Sequence, residues 1–235
     1  MEKRSIFHTL LTYTLAFIML PLLTFSLAFV SCNNGASDDG SGYQTLNLSG
    51  QVHRGFSMKR VEKTSVNYPQ YNPGRQLTVY SNLGVTGSIS ATGQLSFSIA
   101  TPDNQYLFPQ AFVRDLLSNE FGYTNVSIAP EDTLFSYLEL SCPDGHLSRQ
   151  LHTGTVDSAG HGNGSDEVVV YVYVDKNVTL RIQGELTSGE DVFLNLKQGW
   201  NSIRHIDRWI HRESGNISNE SLSVSNPNNF LWMVH

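Results

Sequence analysis

From Leu46 onward, apolar and polar residues alternate one by one. A period of two is satisfied only by extended chain with one covered face. Leu95, Phe97 and Ile99 alternate with Ser96 and Ser98, and Val178, Leu180 and Ile182 with Thr179, Arg181 and Gln183. Val192, Leu194 and Leu196 lie opposite Phe193, Asn195 and Lys197, and Leu46, Leu48 and Val52 repeat the pattern. Half-buried strands of this kind build antiparallel sheets. Strand-like runs recurring every ten or so residues predict an all-β fold of about nine to eleven strands. The expected architecture is an antiparallel β-sandwich, immunoglobulin-like or transthyretin-like.

Turn residues fall between these runs. Ala91-Thr92-Gly93 separates Val85–Ser90 from Gln94–Ala100 and predicts a hairpin, with Gly supplying positive φ. Asp175-Lys176-Asn177 and Gln198-Gly199 predict two more hairpins, and Ser214-Gly215-Asn216 a fourth. The run EVVVYVYV breaks alternation: Val168, Val170, Val172 and Val174 lie on one face, Val169, Tyr171 and Tyr173 on the other. Such a strand is either central and covered on both faces, the reading favoured here, or it displays an aromatic strip. One short helix is expected after Pro109, where Phe112, Val113, Leu116 and Leu117 share a side. It would cap an open end of the sandwich. Residues 54–75 and 153–166 read as irregular loops.

The N-terminus reads as an address. Glu2-Lys3-Arg4 precedes an apolar run from Ile6 to Val30, which predicts a signal helix with its cationic end on the cytoplasmic side. The run ends in Phe29-Val30-Ser31-Cys32, which resembles the lipobox of bacterial lipoproteins. That resemblance implies cleavage after Ser31 and lipidation of Cys32, with a palmitate-type acyl anchor. The following CNNGASDDGSG is a flexible tether in composition. The domains so expected are a signal peptide at 1–31, a lipidated tether at 32–43 and a single sandwich domain at 44–235. Two other outcomes stay open. The apolar run exceeds the ~7–15 residues of an ordinary signal core and could be retained as a membrane-spanning helix. Cleavage after Ser26-Leu27-Ala28 would release a soluble product.

The mature chain adds a second resemblance. Its Leu46–Val52 run, ATG turn, KQGWNSI segment and final FLWMV strand resemble a loose group of uncharacterised β-sandwich lipoproteins with a KxGWN motif. This implies architecture and address, and no activity. Physically, Gly199 turns the chain, Trp200 supplies a large apolar plug, and Asn201 can bond turn backbone.

Chemistry is thinly signalled. The formal net charge of −6, from 15 Lys+Arg against 21 Asp+Glu, argues against nucleic acid as a partner. Two cysteines exclude a disulfide framework, and with Cys32 lipidated, Cys142 is expected to be buried and inert. Asp144, His146 and His152 cluster beside Cys142 and are the candidate metal ligands, yet no established metal spacing occurs, so no metal site and no cofactor is assigned. Asp157–Glu167 is a glycine-rich candidate for calcium without the required register. No nucleophile elbow or phosphate loop is present. Tyr171, Tyr173 and Trp209 are the candidate ligand-binding aromatics, able to stack on sugar rings or anchor a protein partner.

These features together predict a membrane-anchored envelope lipoprotein on the cell membrane or outer membrane, facing the periplasm or the exterior. Its partners would be the membrane, through its lipid, and an envelope protein or glycan. Its role is expected to be non-catalytic, binding or structural. The alternative is a metal- or carboxylate-dependent hydrolase acting on envelope or glycan material.

Overall fold

The structure is a computed structural model and describes residues 42–55, 68–119, 123–156, 162–184, 192–212, 215–225 and 230–235. The signal run, Cys32 and the tether therefore lie outside the described residues. Among the described residues, no helix is long and apolar enough to cross a membrane.

The all-β expectation holds, and fifteen strands and one α-helix are present among the described residues. In chain order the strands are β1 (Leu46–Arg54), β2 (Leu77–Ser81), β3 (Thr86–Ile89), β4 (Gln94–Ile99) and β5 (Phe108–Pro109). The helix α1 (Gln110–Asn119) follows, then β6 (Tyr123–Ala129), β7 (Leu134–Tyr137), β8 (Leu140–Cys142), β9 (Gly145–Val156) and β10 (Gly162–Val174). The chain ends with β11 (Val178–Gly184), β12 (Val192–Leu196), β13 (Gly199–Arg212), β14 (Gly215–Val224) and β15 (Leu231–Val234).

Two stacked open sheets were expected, and the main sheet instead closes on itself. The order β9-β15-β1-β4-β3-β2-β8 returns to β9 and forms a seven-stranded barrel. Closure depends on a parallel pair, β1 with β15, in which Val52 lies beside Trp232. The barrel is filled by the predicted alternating residues, among them Leu46, Leu48, Val52, Leu95, Phe97, Ile99 and Trp232. Closing the ring pairs β8 with β9 and so removes one edge of the main sheet, whose other end is β14.

Beyond the ring, β10, β13 and β14 continue the sheet from β9. A second sheet, β6-β11-β12, belongs to a separate apolar core with Val174 and Ile203. Two predicted hairpins are corrected here. The turns at 175–177 and 198–199 join β10 to β11 and β12 to β13, and in each case the two strands lie in different sheets. Turn chemistry specifies a change of direction, and the choice between pairing and stacking is made by long-range packing. The ATG turn does join paired strands, β3 with β4, and β13 and β14, on either side of residues 213–214, pair with each other up to Arg212↔Gly215. Gly93 has φ +84°, and a Cβ there would lie 1.8 Å from the Tyr71 carbonyl oxygen.

Segment 153–166 is not an irregular loop. Gly154 lies in β9 and Gly162 and Gly164 in β10, which pair from Gly162↔Val156 to Val168↔Gln150; residues 157–161 are outside the described set. Gly and Ser can join a ladder when both neighbours supply hydrogen-bonding edges, and the composition concealed this. Within the other expected loop, the described part, residues 68–75, docks on the barrel: Tyr71 is buried, and its N–H donates to the Val52 carbonyl at 2.9 Å.

Candidate functional site

The strand β10 separates the two cores, which explains its uninterrupted apolar sequence. Val169, Tyr171 and Tyr173 belong to the barrel-side core, and Val174, with Val170 and Val172 packed against it, belongs to the second. Tyr171 is 0% exposed and Tyr173 7%. Tyr173 meets Trp200 edge-on, with ring centroids 5.6 Å apart. As ligand-binding aromatics these two tyrosines are therefore corrected: their faces are spent on packing. Trp209 is placed on β13 opposite Gly164 and Ser218, and its side chain lies outside the described residues.

On the other side of β10 is an apolar cavity of about 190 Å³. Its floor is the outer face of the main sheet, with Val170, Val172, Ile203, His205 and Leu222. The register places these side chains together: Val170 lies beside Ile203, and His205 beside Leu222. Its roof is the β11–β12 face, with Leu180, Ile182, Leu194 and Leu196. The third wall is α1, through Phe112, Val113, Leu116 and Leu117, the residues whose spacing predicted the helix. The helix thus covers the outer lobe and not an end of the barrel. Arg114 Nη2 donates to Gln110 Oε1 one turn back at 3.0 Å, holding the polar side of the helix.

An aromatic ladder closes the remaining side. Phe112 stacks on Phe108 at 5.1 Å, and Phe108 on Tyr137 at 5.9 Å. Phe112 remains 40% exposed and marks the opening. Burial and the neighbouring Glu139 carboxylate push the Tyr137 hydroxyl up to about 12, so it stays a neutral hydrogen-bonding group. Ser136 also borders the cavity, but its register partner is Tyr173, so its side chain belongs to the opposite face. Among the described residues, no Lys, Arg, Asp or Glu lines the cavity. A site of this kind retains apolar groups and rejects charge, because an uncompensated charge there costs several kcal/mol. The pattern of α1 and the β11–β12 alternation were each legible in sequence. That they face one another across a gap was not.

Bulge geometry shapes the roof. Thr124 pairs with Gln183 and Ser127 with Arg181, so two residues of β6 oppose one of β11. The first of the two, Asn125, has φ 55°, a left-handed conformation that Asn tolerates. Such a bulge bends its strand and increases twist, curving the small sheet over the floor.

A polar pocket lies elsewhere, lined by Arg54, Gly55, Tyr71, Asp144, Val234 and His235. The Tyr71 hydroxyl donates to Asp144 Oδ2, and the Arg54 guanidinium lies 5.4 Å from the Tyr71 ring centroid. Burial and the Asp144 hydrogen bond raise the Tyr71 pKa well above the usual phenol range. His235 Nε2 is 2.7 Å from Ser148 Oγ, and its pKa is lowered by burial and by the nearby His146. This is where the candidate metal ligands Asp144 and His146 lie, and they do not come together as a site. Asp144 is taken by Tyr71, His146 is exposed, and Cys142 belongs to the barrel core as a free thiol. The His152 side chain lies outside the described residues, and among those described no group of three His, Cys, Asp or Glu could hold a metal. The calcium candidate is corrected in part: Glu167 is buried in β10 and accepts from Arg204 Nε at 2.7 Å.

Beside the barrel core, Phe230 lies 5.8 Å from both the Arg149 and Arg204 guanidinium carbons. Arg149 is fully buried, its pKa lowered by desolvation, with Tyr171 Oη 3.4 Å away. Sequence reading missed this cluster, since an arginine in an alternating strand gives no sign of facing inward. Compared with protein-family profiles, curated proteins and solved structures, the chain returns no match.

Proposed function

We propose that this chain is a lipid-anchored module of the bacterial envelope that binds and does not catalyse, retaining a small apolar ligand in its outer lobe. The binding part rests on one observation, the cavity of about 190 Å³ with no Lys, Arg, Asp or Glu among the described residues that line it. An engineered apolar cavity of ~150 Å³ binds benzene, so the space is large enough for a ligand. In this reading the sandwich survives locally: the three-stranded sheet laid over β10, β13 and β14 is the two-layer part of the fold, and the ligand lies between the layers. A protein or glycan partner has less support, because Tyr171 and Tyr173 are buried.

The address rests on sequence. A thioether at Cys32 would hold the body on the cell membrane or outer membrane, facing the periplasm or the exterior. Processing would remove two cations and one anion from a chain of net charge −6. The body would then be repelled by an anionic leaflet and stand away from it.

Both parts are testable. N-phenyl-1-naphthylamine should brighten on titration into the protein, and Leu180→Trp, which fills the roof side, should abolish the rise while leaving circular dichroism unchanged. Equal brightening in Leu180→Trp contradicts the site. Labelled palmitate should enter the wild type and not Cys32→Ala; incorporation into both contradicts the anchor.

A further inference from the structure

The floor of the cavity does not run out into neutral surface. Along a strand one face recurs every second residue, and residues directly opposite on paired strands share that face. Ile203 and His205 line the cavity from β13, so Asp207 falls on the same face, about 7 Å farther along the strand. Val172 and Val170 line it from β10, and the same step of two leads through Val168 to Asp166. The register sets Asp166 directly opposite Asp207. It also sets Glu220 of β14 opposite Asp207, and His152 of β9 opposite Asp166. Four neighbouring strands thus contribute three acidic positions and one histidine to a single row across the sheet, just past the apolar floor.

The cations of these strands are sorted to the other face. Arg204 and Arg208 alternate with His205 and Asp207, and Arg204 donates there to Glu167. Neither β10 nor β14 contains a Lys or Arg. A carboxylate or phosphate carried to the row would meet like charge. An ammonium or guanidinium would meet carboxylates, and each carboxylate has about four acceptor positions, enough to serve a ligand beside partners within the sheet. The net charge of −6 acts in the same sense at longer range. We infer that the cavity takes a cationic amphiphile, its apolar body in the outer lobe and its ammonium or guanidinium group on the Asp166–Asp207 row. This rests on the binding reading above and adds the charge of the ligand, whatever the shape of its apolar body.

The test uses the full chain at neutral pH and two matched series, octylamine, octanol and octanoate, then benzylamine, benzyl alcohol and benzoate. Each compound displaces bound N-phenyl-1-naphthylamine, which is itself uncharged at this pH. In both series the amine should bind about tenfold tighter than the alcohol, and the acid more weakly than either. Asp207→Asn and Asp166→Asn, made separately in case one fails to fold, should each bring the ratio of amine to alcohol affinity toward one. Leu180→Trp should remove the amine along with the neutral compounds. Displacement by amine and alcohol at equal concentrations, or preference for the acid, overturns the cationic head and leaves the binding reading standing. An amine preference that persists in both aspartate variants overturns the placement of the head on this row. Undiminished amine binding in Leu180→Trp, followed by calorimetry, reduces the effect to surface ion pairing and overturns the inference. Uptake of neither N-phenyl-1-naphthylamine nor either amine overturns both readings.

Discussion

At Glu139 a half-buried carboxyl follows β7, with its backbone N–H donating to Asn82 Oδ1 at 2.9 Å. Its Oε1 is buried without a hydrogen-bond partner among the described residues, and burial raises the pKa to about 8. The folded protein therefore holds a proton that the unfolded chain releases in the ordinary carboxylate range. Stability should fall as pH rises from the ordinary carboxylate range to about 8, and change little from this group outside that window. Glu139→Gln should flatten the dependence, which urea midpoints at pH values spanning the window would show; parallel curves for the two proteins would contradict it. Ser136 is a simpler case. Its Oγ is buried with no partner among the described residues, so Ser136→Ala should be neutral or stabilising by up to about 1 kcal/mol in urea unfolding. Gly199, Trp200 and Asn201 show how far single residues were legible. Gly199 has φ +109°, and a Cβ there would lie 2.6 Å from the Tyr43 carbonyl oxygen. Trp200 is fully buried and donates from Nε1 to the Ala100 carbonyl at 2.9 Å. Asn201 Nδ2 donates to the Lys197 and Gly199 carbonyls at 2.8 and 2.9 Å. Each role follows from the residue's own chemistry, which is why sequence sufficed. Trp200→Ala should cost roughly 3–5 kcal/mol, measured by the same unfolding titration.

Between elements, the same local signals produced right and wrong readings. Alternation along β4, β11 and β12 places the buried side chains correctly, because a strand's two faces differ by one residue whatever it pairs with. It leaves open which strand lies alongside and which lies across. The turns at 175–177 and 198–199 therefore carry hairpin chemistry although they take the chain from one layer to the other, and those crossings make the cavity. Leu48 and Leu194 are equally buried, both 1% exposed. Leu48 packs in the filled barrel, whereas Leu194 borders the gap. A side chain facing a gap has fewer partners to lose. Leu48→Ala should lie toward the upper end of the ~2–5 kcal/mol range and Leu194→Ala toward the lower, read from urea midpoints at a common slope. Equal losses would mean that the outer lobe is packed as densely as the barrel.

For the molecule as a whole, ring closure was beyond sequence reading because it joins β1 to β15, near opposite ends of the described chain, in a parallel pair with no turn to announce it. An open sheet and a closed one bury the same alternate residues. Closure leaves β10, β13 and β14 projecting from the ring with an apolar outer face, and the small sheet with α1 covers that face incompletely. The account stands on that incomplete cover being a dry, accessible space. Xenon partitions into such spaces, and methyl-resolved NMR under xenon pressure locates it. Shifts should saturate at the methyls of Val170, Val172, Ile182 and Leu194, with those of Leu48, Val52 and Leu95 in the barrel unmoved. No saturable shift at the outer-lobe methyls, or equal shifts in the barrel, would contradict it.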